Sequence, residues 1–330
     1  MEHAGPAVRA EHAGHGAGRG LSAVCPHCGQ LLRTFRPEKC CAEALNRGKG
    51  QVSENTMSVI SRKCAMDGNI MRICIVQMNV VRGDREANRA AVARLVGEAV
   101  RCSPSPDVVV LPELWSTGYD LEHAAALASP MGRDDAAFLG MLAVRHQVAF
   151  VGGSVLSERD GRMYNRAQVI DRQGRYVAGY DKIHLFRLMH EDRYLTPGDA
   201  RLLLDFEGMR CGFAICYDIR FCELARRLAV DGAQVLFVSA EWPMPRSSHW
   251  ETLLQARAVE NQMYVAACNR CGVSDGEEFA GHSMIVAPDG TVLARAGSGE
   301  ECIVADLDID IVRRTRSAIP VFQDRVPRLY

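Results

Sequence analysis

Residues 209–224 read MRCGFAICYDIRFCEL, and their reading decides how the chain folds. Met209 to Ile215 are mostly apolar with no polar alternation, which suits a strand buried on both faces. Asp218 then suits a helix N-terminus, and Glu223 to Ala233 read as helix with Leu224, Leu228 and Ala229 on one face. Cys216 therefore falls on a strand-to-helix turn. A thiol there sits on a rigid support near the positive end of a helix dipole, which favours thiolate. A buried core cysteine is the ordinary fate of a free thiol, and position alone does not separate the two.

The chain has 330 residues, 48% hydrophobic and 24% charged, so it is long enough for one large domain or two small ones. A net charge of -1 points to no nucleic-acid or membrane partner. No apolar run reaches membrane-spanning length, and the first thirty residues lack a signal-peptide core. Thirteen cysteines without scaffold spacing read as reduced thiols of a cytoplasmic protein.

Residues 1–70 differ from the rest. MEHAGPAVRAEHAGHGAGRGLSAV is rich in Gly, Ala and His without hydrophobic period, which predicts a disordered extension or upstream sequence from a mistaken start. Cys25 and Cys28 stand at zinc-ribbon spacing, but the adjacent Cys40 and Cys41 make a poor second half. A zinc-binding regulatory protein built on that pair is one competing reading.

Patterned sequence begins at Met71, and 71–330 reads as one domain with a tail at 317–330. Strands are expected at 71–80, 108–111, 148–155, 209–215, 234–239, 263–269 and 301–307, the third ending through Gly152-Gly153. Helices are expected from Asp84 to about Arg101, over 134–146 and over 247–261, with hairpins at 164–180 and 282–296. Strands alternating with helices, interrupted by two hairpins, predict a sandwich of mixed sheets with helices outside.

Three polar residues follow buried strands. Glu113 comes one Pro after 108–111, Lys182 ends the first hairpin, and Cys216 ends 209–215. Strand ends of such sheets face a crevice where catalytic groups collect. Together they form a chemical set. A cysteine nucleophile needs a base, which a glutamate of raised pKa can supply, and an oxyanion needs an ammonium and a backbone N–H. No histidine or cofactor is required. His184, close to Lys182 at the strand end, is expected to face the other way.

The motifs LPELWSTGY (111–119), YDKIHLF (180–186) and CYDIRF (216–221) resemble the nitrilase superfamily of carbon–nitrogen hydrolases, over about Met71 to Tyr330. The resemblance implies an α/β fold, a four-layer αββα sandwich, and a Glu-Lys-Cys triad. Glu113 matches the general base, Lys182 the oxyanion lysine and Cys216 the nucleophile, with Tyr217 beside it in the oxyanion site. Glu191 matches a second glutamate beside the lysine. HLFRLMHEDRYLTPGD, the stretch 239–270 and the tail 319–330 look like the omega-amidase branch, which acts on 2-oxoglutaramate or 2-oxosuccinamate. The resemblance also implies a homodimer. Cys222 stands where the family has Pro, and Glu241 where many relatives have Asn.

An omega-amide of a dicarboxylate keeps a free carboxylate, which an arginine fork recognises. Arg220 is the first candidate and Arg187 the second, with Tyr119 and Trp242 as pocket walls. The leading expectation is a metal-free, cofactor-free amidase on a small acidic omega-amide. Alternatives are an aliphatic amidase, a carbamoyl-amine hydrolase, a nitrilase, or an inactive superfamily member acting as a binding module.

Overall fold

In the computed structural model, which describes residues 70–329, the apolar runs pair into two mixed sheets. The expectations for residues 1–69, including Cys25 and Cys28, lie outside the described residues. The elements run β1 (Ile70–Gln77), α1 (Arg85–Ala99), β2 (Val108–Val110), α2 (Ala124–Leu127), β3 (Ser129–Pro130), α3 (Arg133–His146), β4 (Ala149–Arg159), β5 (Arg162–Ile170) and β6 (Tyr176–Asp181). There follow α4 (Glu191–Tyr194), β7 (Leu203–Phe206), β8 (Met209–Ile215), α5 (Cys222–Val230), β9 (Val235–Ala240), α6 (Ser247–Asn261) and β10 (Tyr264–Asn269). The chain closes with β11 (Cys271–Ser274), β12 (Glu277–Ala280), β13 (Met284–Val286), β14 (Val292–Arg295), β15 (Glu301–Asp308) and α7 (Ile309–Ala318).

One sheet has the order β15-β1-β2-β4-β5-β6, with β3 added on β4; the other has the order β14-β13-β10-β9-β8-β7. Each is built on three parallel strands, β1-β2-β4 and β8-β9-β10, extended by antiparallel neighbours. Alternation along the strands sorts the side chains. Ile73, Ile75, Val110 and Val151 point to the second sheet and share a core with Phe213, Ile215 and Phe237. Cys74, Val76, Val109 and Phe150 point the other way, onto Val92, Leu95 and Val96 of α1 and Leu139 and Ala143 of α3. On the far side, Leu224 and Leu228 of α5 and Trp250, Leu254 and Ala258 of α6 cover the second sheet. The result is the expected four-layer αββα sandwich. Each fully buried aliphatic side chain contributes about 1.5–3 kcal/mol of transfer free energy. That explains why the central strands carry almost no polar residues. Among the described residues no helix is long and apolar enough to cross a membrane.

Helix starts follow local chemistry. Asp84 accepts a hydrogen bond from the Ala87 N–H and caps α1 as expected. Three local readings needed correction. The strand expected over 148–155, ending through Gly152-Gly153, continues to Arg159, because the glycine pair forms a bulge between Val151 and Ser154, not a terminus. The hairpin β11–β12 was not expected, although Asp275-Gly276 turns it with positive φ at both residues. The α-helix after Cys216 begins only at Cys222; residues Cys216–Arg220 form a 3-10 turn first. Cys222 thus takes the first helical position, where a missing proline costs little.

The bulge positions the next loop. Gly153 has φ +62°, and a Cβ there would come within 2.1 Å of the Pro112 carbonyl oxygen and 2.8 Å of Trp115 Cδ1. Gly153→Ala is therefore expected to lower stability by about 1–3 kcal/mol through backbone displacement. Chemical denaturation measures this, and a midpoint equal to wild type would contradict it.

Candidate active site

Four side chains named from sequence meet at one end of the sandwich. Glu113 stands two residues past Leu111, on a loop pinned from both sheets. Its N–H reaches the Ala240 carbonyl at 3.4 Å, the Leu114 N–H donates to Ser154 Oγ at 2.9 Å, and the Trp115 indole donates to the Gly152 carbonyl at 2.8 Å. Lys182 follows β6, with its N–H on the Asn165 carbonyl at 2.9 Å and its carbonyl accepting from Gly198 at 2.8 Å. Glu191 opens α4, and its Oε2 accepts from the Phe186 N–H at 2.7 Å. Cys216 leaves β8 with φ +46°, a left-handed backbone that a non-glycine residue holds only when its surroundings impose it.

Lys182 Nζ donates to Glu113 Oε1 at 2.7 Å and to Glu191 Oε1 at 2.6 Å, and all three side chains are fully buried. Glu113 Oε1 also accepts from Asn165 Nδ2 at 2.7 Å, and its Oε2 accepts from the Glu241 N–H at 2.8 Å. Asn165 was missed in the sequence; its one signal is an amide inside an otherwise buried strand. Tyr119, expected as a pocket wall, belongs to this network instead. Its hydroxyl lies 2.8 Å from Glu113 Oε1 and 2.6 Å from Glu191 Oε1. One phenolic proton cannot serve both oxygens at once. Burial raises the Glu191 pKa against the opposing pull of Lys182.

The electrostatics of the thiol reverse one expectation. Helix-dipole reasoning predicted a thiolate-favouring site. Burial instead pushes the Cys216 pKa well above the ordinary thiol value, Glu113 adds to the rise, and Lys182 opposes it. The α-helix starts six residues away, too far for its terminus to outweigh removal from water. Burial alone would lower the Lys182 pKa, but Glu113 and Glu191 outweigh it and hold the ammonium charged. The arrangement pairs a neutral thiol with a carboxylate that can take its proton and an ammonium fixed beside both.

The turn bearing Cys216 hangs on Asp218. Its Oδ2 accepts from the Ile215 N–H at 2.8 Å and from Tyr180 Oη at 2.7 Å, and its Oδ1 accepts from the His184 N–H at 3.0 Å. His184 Nδ1 lies 2.8 Å from Asp218 Oδ1, and its ring stacks on Phe221 with centroids 3.6 Å apart. It does turn from the partners of Lys182. Strand alternation is not the cause, since residues two apart share a face. β6 ends at Asp181, and the chain bends after it.

A narrow pocket over Cys216 is lined by Phe186, Tyr217, Arg220, Trp242, Pro243 and Arg246, with Glu241 at its base. Arg220 lies over the Trp242 ring at 4.8 Å from its centroid. Arg187 is exposed and does not line the pocket, because its short 3-10 turn carries it outward. Arg246 does line it and was not singled out; an arginine between prolines and serines carries no motif signal. Burial pushes the Glu241 carboxyl up to about 7 despite Arg270, whose guanidinium lies 3.1 Å from Glu241 Oε2.

Residues 72–317 match the Carbon-nitrogen hydrolase family. The 2-oxoglutaramate amidase of Bacillus subtilis (strain 168) is 45% identical over 228 residues, 69% of this chain and 88% of that protein. The omega-amidase YafV of Escherichia coli (strain K12) is 36% identical over 258 residues, 77% of this chain and 96% of that protein. Among solved structures, XC1258 from Xanthomonas campestris, a CN-hydrolase superfamily protein, superposes with a TM-score of 0.73 at 28% identity, covering 78% of this chain and 97% of that one.

Asp218→Ala removes an acceptor from four donors at once, two of them backbone N–H groups. Stability is expected to fall on the order of 3 kcal/mol. Alkylation of Cys216 by iodoacetamide should speed up as the turn loosens. Urea melts and alkylation rates test this, and an unchanged melt would refute it.

Proposed function

This chain belongs to the carbon–nitrogen hydrolase family and is a hydrolase of carbon–nitrogen bonds, and we propose that it is a cysteine-dependent amidase acting on the omega-amide of a small dicarboxylate. The observation that carries the proposal is the buried contact set of Lys182 with Glu113 and Glu191 beside the Cys216 thiol.

In this mechanism Glu113 takes the Cys216 proton as the sulfur attacks the amide carbonyl carbon. The raised thiol pKa fits a proton that moves with the attack. The carbonyl oxygen gains the electron pair and is held by Lys182 Nζ and the Tyr217 N–H at the start of the 3-10 turn, each donor worth about 3 kcal/mol in such sites. The C–N bond then breaks, Glu113 returns the proton to nitrogen, and ammonia leaves a thioester on Cys216. Water attacks the thioester with Glu113 again as base, and the acid departs as the thiol is restored. Glu191 holds Lys182 in place and ties it to the Phe186 backbone.

Arg220, half-buried in the pocket over Cys216, is the proposed anchor of the free carboxylate, and Trp242 walls the acyl chain. The names of two relatives, a 2-oxoglutaramate amidase and an omega-amidase, support this substrate class. The cysteines among the described residues are unpaired, which fits a cytoplasmic enzyme. We also infer a homodimer. The tail leaves Ile319 62% and Leu329 70% exposed, apolar surface that suits a partner. Light scattering at micromolar concentration should give twice the chain mass; a monomer contradicts the inference.

The proposal is tested by ammonia release from 2-oxoglutaramate, 2-oxosuccinamate, glutamine, valeramide and a carbamoyl amine. The acidic 2-oxo amides are expected to be preferred. Cys216→Ala should release no ammonia above background while melting like wild type, and Cys216→Ser should be nearly as inactive, since a carboxylate deprotonates a hydroxyl poorly. Turnover by the Ala variant, or inactivation that tracks alkylation of another thiol, would overturn the assignment.

A further inference from the structure

The pocket over Cys216 holds two guanidinium groups, and only one of them has been given work. Arg220 and Arg246 both line it and both are half-buried. Neither forms an ion pair with an acidic side chain among the described residues. Arg220 has the Trp242 ring at 4.8 Å and His249 Nδ1 at 3.3 Å; Arg246 has the Phe186 ring with the guanidinium 5.8 Å from its centroid. The one carboxyl lining the pocket, Glu241, pairs with Arg270 through Oε2 and leaves Oε1 without a hydrogen-bond partner. Two cations of one sign, stacked on aromatic faces and without a counter-ion, leave their forked donors available to a ligand.

The Arg246 backbone is fixed independently of its side chain. Its N–H donates to the Pro243 carbonyl at 3.1 Å, and its carbonyl accepts from the Trp242 indole at 2.7 Å. The guanidinium therefore projects from a rigid 3-10 turn, Met244–Arg246, and not from a mobile loop. The indole that packs under Arg220 is tied to the residue that carries the second cation.

We propose that Arg246 is a specificity-determining residue: with Arg220 it grips the free carboxylate and the adjacent 2-oxo oxygen of the substrate, and the combined charge of the pair rejects omega-amides that carry a 2-ammonium group. This rests on the acidic omega-amide reading above. An omega-amide of a dicarboxylate has one free carboxylate, which a single fork satisfies. A second fork is used only if another acceptor lies beside it, and a 2-oxo oxygen lies in the same plane as its carboxylate. A 2-ammonium group would place a third positive charge in the same space, where the charge of the one lining acid, Glu241, is already balanced by Arg270.

The test is steady-state kinetics on 2-oxoglutaramate, glutamine and valeramide with wild type, Arg246→Met and Arg246→Lys. For Arg246→Met, KM for 2-oxoglutaramate should rise at least tenfold with kcat within threefold, the sign of binding shared by ground and transition states. The preference for 2-oxoglutaramate over glutamine should fall at least tenfold, and valeramide should respond far less. Arg246→Lys restores charge without the fork, so it should recover discrimination against glutamine but not the KM. Thermal melts confirm folding, and the backbone bond to Trp242 survives both substitutions. If Arg246→Met lowers kcat equally on all three substrates, or keeps the wild-type preference, the role of Arg246 is refuted while the acidic-substrate reading stands. If wild type itself does not prefer 2-oxoglutaramate to valeramide, the substrate reading fails and this inference with it.

Discussion

The buried ammonium of Lys182 is the constraint around which the site is arranged. A charge removed from water is tolerable only with close, well-directed partners. Lys182 has them at 2.7 Å and 2.6 Å, from two glutamates on different elements. Satisfying it joins the loop after β2, the end of β6 and the start of α4. Glu113 then needs its own donors, and they come from β5 through Asn165 and from the second sheet through the Glu241 N–H. One buried charge thus recruits polar contacts from both halves of the sandwich, in a region where the core is otherwise apolar.

The two sheets make this possible because they are built alike. Each centres on a parallel triplet whose middle strand ends at the site: β2 delivers Glu113, and β9 delivers Glu241. Their backbones meet, since the Glu113 N–H faces the Ala240 carbonyl while the Glu241 N–H serves the Glu113 carboxylate. The face-to-face packing of apolar strands therefore sets the distance between proposed base and proposed nucleophile. Gly153 matters for the same reason, because its missing side chain lets the β4 bulge touch the Pro112 carbonyl.

Much of this was legible in the chain. Three polar residues each stand just after an apolar run, and strand ends are where a sheet opens to solvent. The run lengths and the two hairpins were enough for the sandwich. Where local reading failed, a tertiary effect overrode a local one. The Cys216 dipole argument assumed a helix beginning at once; a 3-10 turn intervenes, and burial dominates the thiol. Tyr119 was read as a wall because a lone tyrosine after a strand carries no sign of the two carboxylates 2.8 Å and 2.6 Å from its hydroxyl. Arg187 and Arg246 look equally ordinary in sequence, yet only Arg246 lines the pocket.

By itself the sequence marked the apolar strands, the sandwich they imply and the strand-end residues Glu113, Lys182 and Cys216, since apolar period and strand-end position are local properties; the four layers and Glu191 came from the family resemblance. Only the tertiary structure decided which polar groups became partners. Asn165, Asp218, Tyr119 and Arg246 acquire their places from contacts across sheets and turns. Hydrogen bonding and desolvation act over a few ångströms in space, and residues that close can be 52 positions apart in the chain, as Asn165 and Glu113 are.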